Sequence, residues 1–276
     1  MLSEPTVTEN QIETYGPYQP RMQKIALFTV ANDCEAHGYP MPPHTDSLLA
    51  QNWCRLITQR LGAPYAAHIP YCTDSAGEIA RRWSPRYLPF DEFYDKLRDF
   101  VKWHVERLSF QPEKVAIIIG HGGNRELPER QQHLSGILGM PVQCLLPSVS
   151  EPLIYPEFEA LDVIYDIAAK GGEHAYMLEY SLMAHLGHFD FGKLQVLNEV
   201  AERDPLEALR RWPAIAGLGG FIEFGGREFD PLRDIGGLVA ALEDFKKRRK
   251  IIVDAELGRR ATVLIVDYFC ECLEKE

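Results

Sequence analysis

The sequence predicts an α/β fold, and three observations predict it. Lys24-Ile-Ala-Leu-Phe-Thr-Val30 and Lys114-Val-Ala-Ile-Ile-Ile119 are short apolar runs, and the second is β-branched enough to be a central parallel strand buried on both faces. Each run passes directly into polar, glycine-containing sequence, where open α/β sheets place their ligands. Between them lie two stretches of helical periodicity. With 276 residues, 46% of them hydrophobic, the chain can bury the core of one large α/β domain or two small ones.

Composition narrows the function. The formal charge of -11 is spread without an acidic tail, which argues against a nucleic-acid backbone or an anionic membrane surface as partner and favours a small molecule. No apolar run reaches the length of a membrane span, and Met1-Leu-Ser-Glu-Pro-Thr lacks the basic and apolar regions of a signal peptide, so a cytoplasmic location is expected. Cysteines 34, 54, 72, 144, 270 and 272 have neither zinc-ribbon spacing nor the density of a disulfide scaffold, and most of them read as buried thiols. Cys34, between Asp33 and Glu35, is a packing residue or else a ligand or nucleophile.

Residues 1–20 are polar, carry Pro5, Pro17 and Pro20, and read as an extended arm ahead of a domain covering residues 21–276. Ile25 to Val30 is the first strand. The stretch 31–46 then offers Glu35, His37, His44 and Asp46, oxygen and imidazole donors that suit divalent metals, although surface loops with Gly and Pro look similar. In residues 47–61, Leu48, Leu49, Trp53, Leu56, Ile57 and Leu61 have helical spacing, so Asp46 competes as an N-cap. Residues 62–90 are rich in proline and read as loop; part of a substrate pocket is expected at Tyr71-Cys-Thr-Asp-Ser75, with Ser75 as a contact. A second helix over 90–108 places Phe93, Leu97, Val101 and His104 on one face, His104 as a satisfied boundary residue.

After the 114–119 strand, Gly120-His-Gly-Gly-Asn124 puts His121 at the strand's carboxyl end, while Gly122 and Gly123 permit a tight turn and close approach of a ligand. No Gly-Lys-Ser/Thr follows, so a phosphate loop is the weaker reading, and Asn124 could hold the turn by bonding its own backbone. Residues 140–146 read as a further strand. Gly171-Gly-Glu-His-Ala-Tyr-Met-Leu-Glu-Tyr-Ser181 brings Glu173, His174 and Glu179 to a helix entrance, either as site residues or as a cap and a solvated glutamate. His185 and His188 read as surface or packing. The glycine-rich segment 217–226 reads as a hairpin or a subunit contact, and Lys246-Lys-Arg-Arg-Lys250 as a solvated helix end.

Three of these stretches together resemble the creatininase (creatinine amidohydrolase) family of metal-dependent hydrolases. Glu35-Ala-His37-Gly38 with Thr45-Asp46 matches its Glu-x-His-Gly and Thr-Asp, Gly120 to Asn124 matches its Gly-His-Gly-Gly-Asn, and His174 to Ser181 is similar to its His-Ala-Gly-x-x-Glu-Thr-Ser. Ala255-Glu-Leu-Gly-Arg-Arg260 resembles the family's Glu-x-Gly-Arg ending. The resemblance implies a three-layer α/β/α sandwich around a mostly parallel sheet, assembled as a homo-oligomer from dimer to hexamer. It also implies two divalent metal ions, zinc, manganese or iron. By motif match, Glu35 and His121 hold one, His37 and Glu179 the other, and Asp46 bridges them. His174, beside Glu173, is then the catalytic proton donor or acceptor, with Gly122, Gly123, Asn124, Tyr176 and Ser75 against the substrate.

The implied activity is hydrolysis of a small cyclic amide, formamide or similar carbonyl compound by a metal-bridging hydroxide. The chain departs from the pattern at Asn32-Asp33, Tyr176 and Tyr180, and carries Gly122-Gly123 where creatinine-hydrolysing enzymes have Tyr and Glu. The nearest candidate for the tryptophans of their pocket is Tyr155. These departures argue against creatinine itself. The alternatives are a ring-opening hydrolase of a keto-inositol and a non-catalytic metal-binding subunit.

Overall fold

The computed structural model describes residues 24–149, 177–211 and 252–275. Four strands run through it: β1 (Ile25–Val30), β2 (Tyr65–Ile69), β3 (Lys114–Ile119) and β4 (Val142–Leu145). Interleaved with and following them are α1 (Thr45–Leu61), α2 (Phe90–Val105), α3 (Gln131–Leu138), α4 (Met177–His185), α5 (Phe191–Arg203), α6 (Pro205–Arg211) and α7 (Ala255–Glu274). The strands pair in the order β2-β1-β3-β4, all parallel.

Both central strands are buried along their whole length, which is why they read as continuous apolar runs. Alternate residues feed two separate cores. Leu27, Ala116 and Ile118 pack with Leu49, Trp53 and Ile57 of α1 and Phe269 of α7, whereas Phe28, Val115 and Ile117 pack with Phe93 and Leu97 of α2 and Leu134 of α3. The sheet is therefore sandwiched between helical layers. Handedness explains the division: β1 to β2 steps one way along the sheet and β2 to β3 to β4 the other, so right-handed crossovers put α1 on one face and α2 and α3 on the opposite one.

The reversal leaves a crevice beyond the carboxyl ends of β1 and β3, the place where such sheets bind ligands. Val30 pairs with Ile119, so the two strands end level and the segments that follow them lie side by side.

Two boundaries differ from the sequence reading. The region 62–90 contains β2, an edge strand whose Tyr-Ala-Ala-His-Ile sequence is half-buried and gives no apolar run; its pairing with β1 makes it a strand. α1 begins at Thr45 with His44 in the N-cap position, so Asp46 lies inside the first turn and is not the N-cap. Among the described residues no helix is long and apolar enough to cross a membrane. The arm 1–20, Tyr155, the glycine-rich segment 217–226 and the basic cluster 246–250 lie outside the described residues.

Candidate metal centre

The segment after β1 is folded back on itself, with Glu35 N donating to Pro43 O at 2.9 Å and Ala36 N to Trp83 O at 3.0 Å. Gly38 takes a positive φ of 81°, a turn that a side chain would strain. This loop carries Glu35 and His37 into the crevice, and α1 then presents Asp46 from its first turn, where the helix dipole favours a carboxylate. Gly120 makes that approach possible: a Cβ there would stand 2.6 Å from Ala50 Cβ and 2.7 Å from Asp46 O. His121 follows as the second residue beyond β3, in extended conformation.

Asp46 is the pivot. Its Oδ1 lies 2.9 Å from His37 Nε2, and its Oδ2 lies 2.9 Å from His121 Nδ1, which is also 3.0 Å from Glu35 Oε2. Two donor groups result, Glu35 with Asp46 and His121, and His37 with Asp46 and Glu179, each with its ligating atoms within 4.8 Å of one another. His37 Nδ1 is bonded to the carbonyl of Glu35 at 3.1 Å, which turns Nε2 toward Asp46. Asn32 Nδ2 donates to Glu35 Oε2 at 3.2 Å and to Ser84 Oγ at 2.7 Å, holding that carboxylate from behind.

Electrostatics set this cluster apart from an ordinary buried ion pair. Glu35, His37, Asp46 and His121 are all buried. Burial alone would push the His37 pKa down, but Asp46 foremost, then Glu179 and Glu35, raise it to about 10. His121 is likewise driven down by burial and raised well above the usual imidazole value by Glu35 and Asp46. Burial opposes ionisation of Asp46, yet His37 and His121 hold it below the usual carboxylate range. Three carboxylates thus demand positive charge, which protons on the imidazoles supply when nothing else does.

A cation fits the same demand. Asp46 Oδ2 has no aligned hydrogen-bond donor among the described residues although it touches an imidazole nitrogen. Carboxylate and imidazole donors together suit zinc, manganese or iron.

The other expected contacts divide. Gly122 is exposed, and a Cβ there would meet nothing within 4 Å; at Gly123 it would stand 2.3 Å from His121 Nε2 and 2.7 Å from Thr73 O. Asn124 does not cap its own turn: it is buried, and its Oδ1 accepts from Thr73 N at 3.0 Å. Ser75 sits exposed on a turn, whereas its neighbour Asp74 faces the site. Tyr180 is wholly buried, its ring 5.2 Å from that of Phe189, so packing accounts for it. His104 bonds Phe100 O at 2.9 Å, as a boundary histidine should, and Cys34 joins neither donor group. Glu173, His174 and Tyr176 lie outside the described residues.

Sequence reasoning passed over Asn32, Asp33, Ser47 and His68 as site residues, and within Tyr71-Cys-Thr-Asp-Ser75 it chose Ser75 where the structure turns Asp74 toward His121. Asp33 Oδ1 receives a hydrogen bond from Ser47 Oγ and lies 3.0 Å from His68 Nε2, while His68 Nδ1 is 2.8 Å from Thr29 Oγ1. This network braces both ends of the loop that carries Glu35 and His37. Its adjacency to Glu35 and Asp46 was a usable signal for Asp33 and Ser47; His68 stood in a segment without a recognisable strand.

Comparison with solved structures places the fold. A manganese form of creatininase superposes with a TM-score of 0.54 at 16% identity, covering 91% of this chain and 91% of that one. A creatinine amidohydrolase (creatininase) gives 0.52 at 16% identity, with 91% and 89% covered. A candidate creatinine amidohydrolase of Bacteroides fragilis gives 0.51 at 17%, with 91% and 89% covered. The likeness extends over nearly the whole of each chain, and it is a likeness of fold. No protein-family model and no curated protein matches the sequence.

Proposed function

We propose that this creatininase-like fold is a metal-dependent hydrolase that opens a small cyclic amide, formamide or comparable carbonyl compound at a centre of two divalent ions. The observation that carries the reading is Asp46, whose two oxygens face different imidazoles and belong to both donor groups. On this reading Glu35 and His121 would hold one ion, His37 and Glu179 the other, and Asp46 would serve both. Two divalent ions held there would supply hydroxide from water at neutral pH and would polarise a substrate carbonyl.

The chain's own residues do the rest. The Glu35 carbonyl holds His37 in the orientation that presents Nε2, and Asn32 fixes the Glu35 carboxylate. Gly122 is exposed, and a Cβ on it would meet nothing within 4 Å, so it is proposed to lie against the substrate. His174, which follows Glu173 and opens the motif that contains Glu179, is proposed to deliver a proton to the leaving atom. Creatinine is not the substrate proposed, because Gly122 and Gly123 stand where its hydrolases carry side chains.

The test is elemental analysis of the purified protein together with a screen of cyclic amides, formamides and keto-inositols. About two equivalents of a transition metal, with a cyclic amide opened to a single product carrying new amino and carboxylate groups or a formamide split into formate and amine, supports the reading. Turnover of a keto-inositol without amine selects the ring-opening alternative; metal without any turnover selects a non-catalytic metal-binding subunit. A protein that takes up no metal after reloading overturns the proposal.

A further inference from the structure

Resting on the reading of the centre as a metal site, we infer that Asp74 is a positioning residue for His121, accepting the Nε2 proton so that Nδ1 is committed to the ion shared with Glu35 and Asp46. The two nitrogens of this ring have different surroundings. Nδ1 lies among the ligating oxygens, 2.9 Å from Asp46 and 3.0 Å from Glu35. Nε2 is buried and has no hydrogen-bond partner among the described residues, and the acidic oxygen it faces there is Asp74 Oδ2, at 3.9 Å. A metal-ligating histidine characteristically donates its second N–H to a carboxylate or carbonyl, which fixes tautomer and ring orientation.

Asp74 is built into that place. Its Oδ1 accepts from Ala76 N at 2.8 Å, its Oδ2 accepts from Trp83 Nε1 at 3.0 Å, and the preceding residue is tied to the histidine's own turn through Thr73 N and Asn124 Oδ1. Gly123 keeps the gap between the two groups clear. A Cβ on it would stand 2.3 Å from His121 Nε2 and 2.9 Å from Asp74 Cα, a wedge driven between ring and acid. The 3.9 Å separation is too long for a hydrogen bond, and closing it takes about 1 Å of movement of ring or carboxylate. The His121-Gly-Gly-Asn124 motif thus reads as one device: a ligand, a permitted approach and a tether for the acid that aims the ligand.

The experiment uses the full chain loaded with zinc. Zinc affinity is measured against a chromophoric chelator, and imidazole N–H resonances are recorded on 15N-histidine-labelled protein. Asp74→Asn is expected to weaken zinc binding about 10- to 100-fold, with the His121 Nε2–H resonance moving upfield and exchanging faster; Asp74→Glu, which keeps the charge, restores most of the affinity. Unchanged zinc affinity and an unmoved Nε2–H in Asp74→Asn overturn the inference while leaving the metal reading intact. If that variant fails to fold, the parent protein decides. Zinc on Nδ1 with a downfield, slowly exchanging Nε2–H supports the role, and zinc on Nε2 or a rapidly exchanging Nε2–H overturns it. A parent that binds no zinc overturns the metal reading and this inference with it.

Discussion

Asp46 differs from its neighbours in being shared, and substitution exposes the difference. Asp46→Asn removes the charge that both imidazoles face at 2.9 Å, and an amide cannot offer two anionic oxygens. On the proposed two-ion reading, all bound metal is expected to be lost. His37→Ala leaves Glu35, Asp46 and His121 untouched, so about one equivalent should remain by elemental analysis. Equal loss in the two variants would show that the donor groups act as one site. Protons provide an independent check. In the metal-free protein His37 keeps its proton up to about pH 10, and His121 is shifted in the same direction, so metal has to displace protons at neutral pH. Calorimetric titrations in buffers of different ionisation enthalpy should record proton release and an affinity that rises with pH; uptake without release would mean that the imidazoles are not the ligands.

At the scale of the element, what matters is how closely α7 lies against α4, the helix that carries Glu179. Gly258 sets that distance: a Cβ there would fall 1.9 Å from Ser181 O, and Ser181 Oγ also accepts from Asp254 N, just before α7, at 3.1 Å. Gly to Ala within an exposed helix gains about 1 kcal/mol of propensity. Here the clash is with backbone and cannot be relieved by a rotamer change, so Gly258→Ala is expected to destabilise the fold by about 1–3 kcal/mol in denaturant titrations. Moving α4 also moves Glu179, so loss of metal from the His37 subsite should accompany the lost stability. A stabilised Gly258→Ala would refute the packing argument. The Glu-x-Gly-Arg resemblance picked out this glycine from sequence, but the reason for it lies in a contact with a segment 77 positions earlier in the chain (258 against 181).

For the whole molecule, legibility followed burial. β1 and β3 could be read because both faces of each are covered and every residue had to be apolar or satisfied. β2 could not, since an edge strand with two alanines and a histidine owes its conformation to a partner distant in sequence. His121 was legible as chemistry at a strand end and Asp74 only as part of the pocket segment 71–75, whereas Asn32 and His68 make contacts that no local pattern announces. The same distribution of charge governs stability. The raised His37 contributes stability that is complete below its ordinary value of 6.5 and is lost as pH rises through about 10; the depressed Asp46 contributes above 3.8 and is lost as pH falls below it. The metal-free protein is therefore expected to be most stable from about pH 4 to 6.5, within the window that these two shifts define. Metal acts in the opposite sense, because it needs the imidazoles without their protons, and at 100 times its dissociation constant it adds about 2.7 kcal/mol. The gap in Tm between loaded and chelator-treated protein should accordingly be small near pH 5 and widen steadily toward pH 9. A gap that is constant or narrows over that range would show that ion and protons do not compete for one centre.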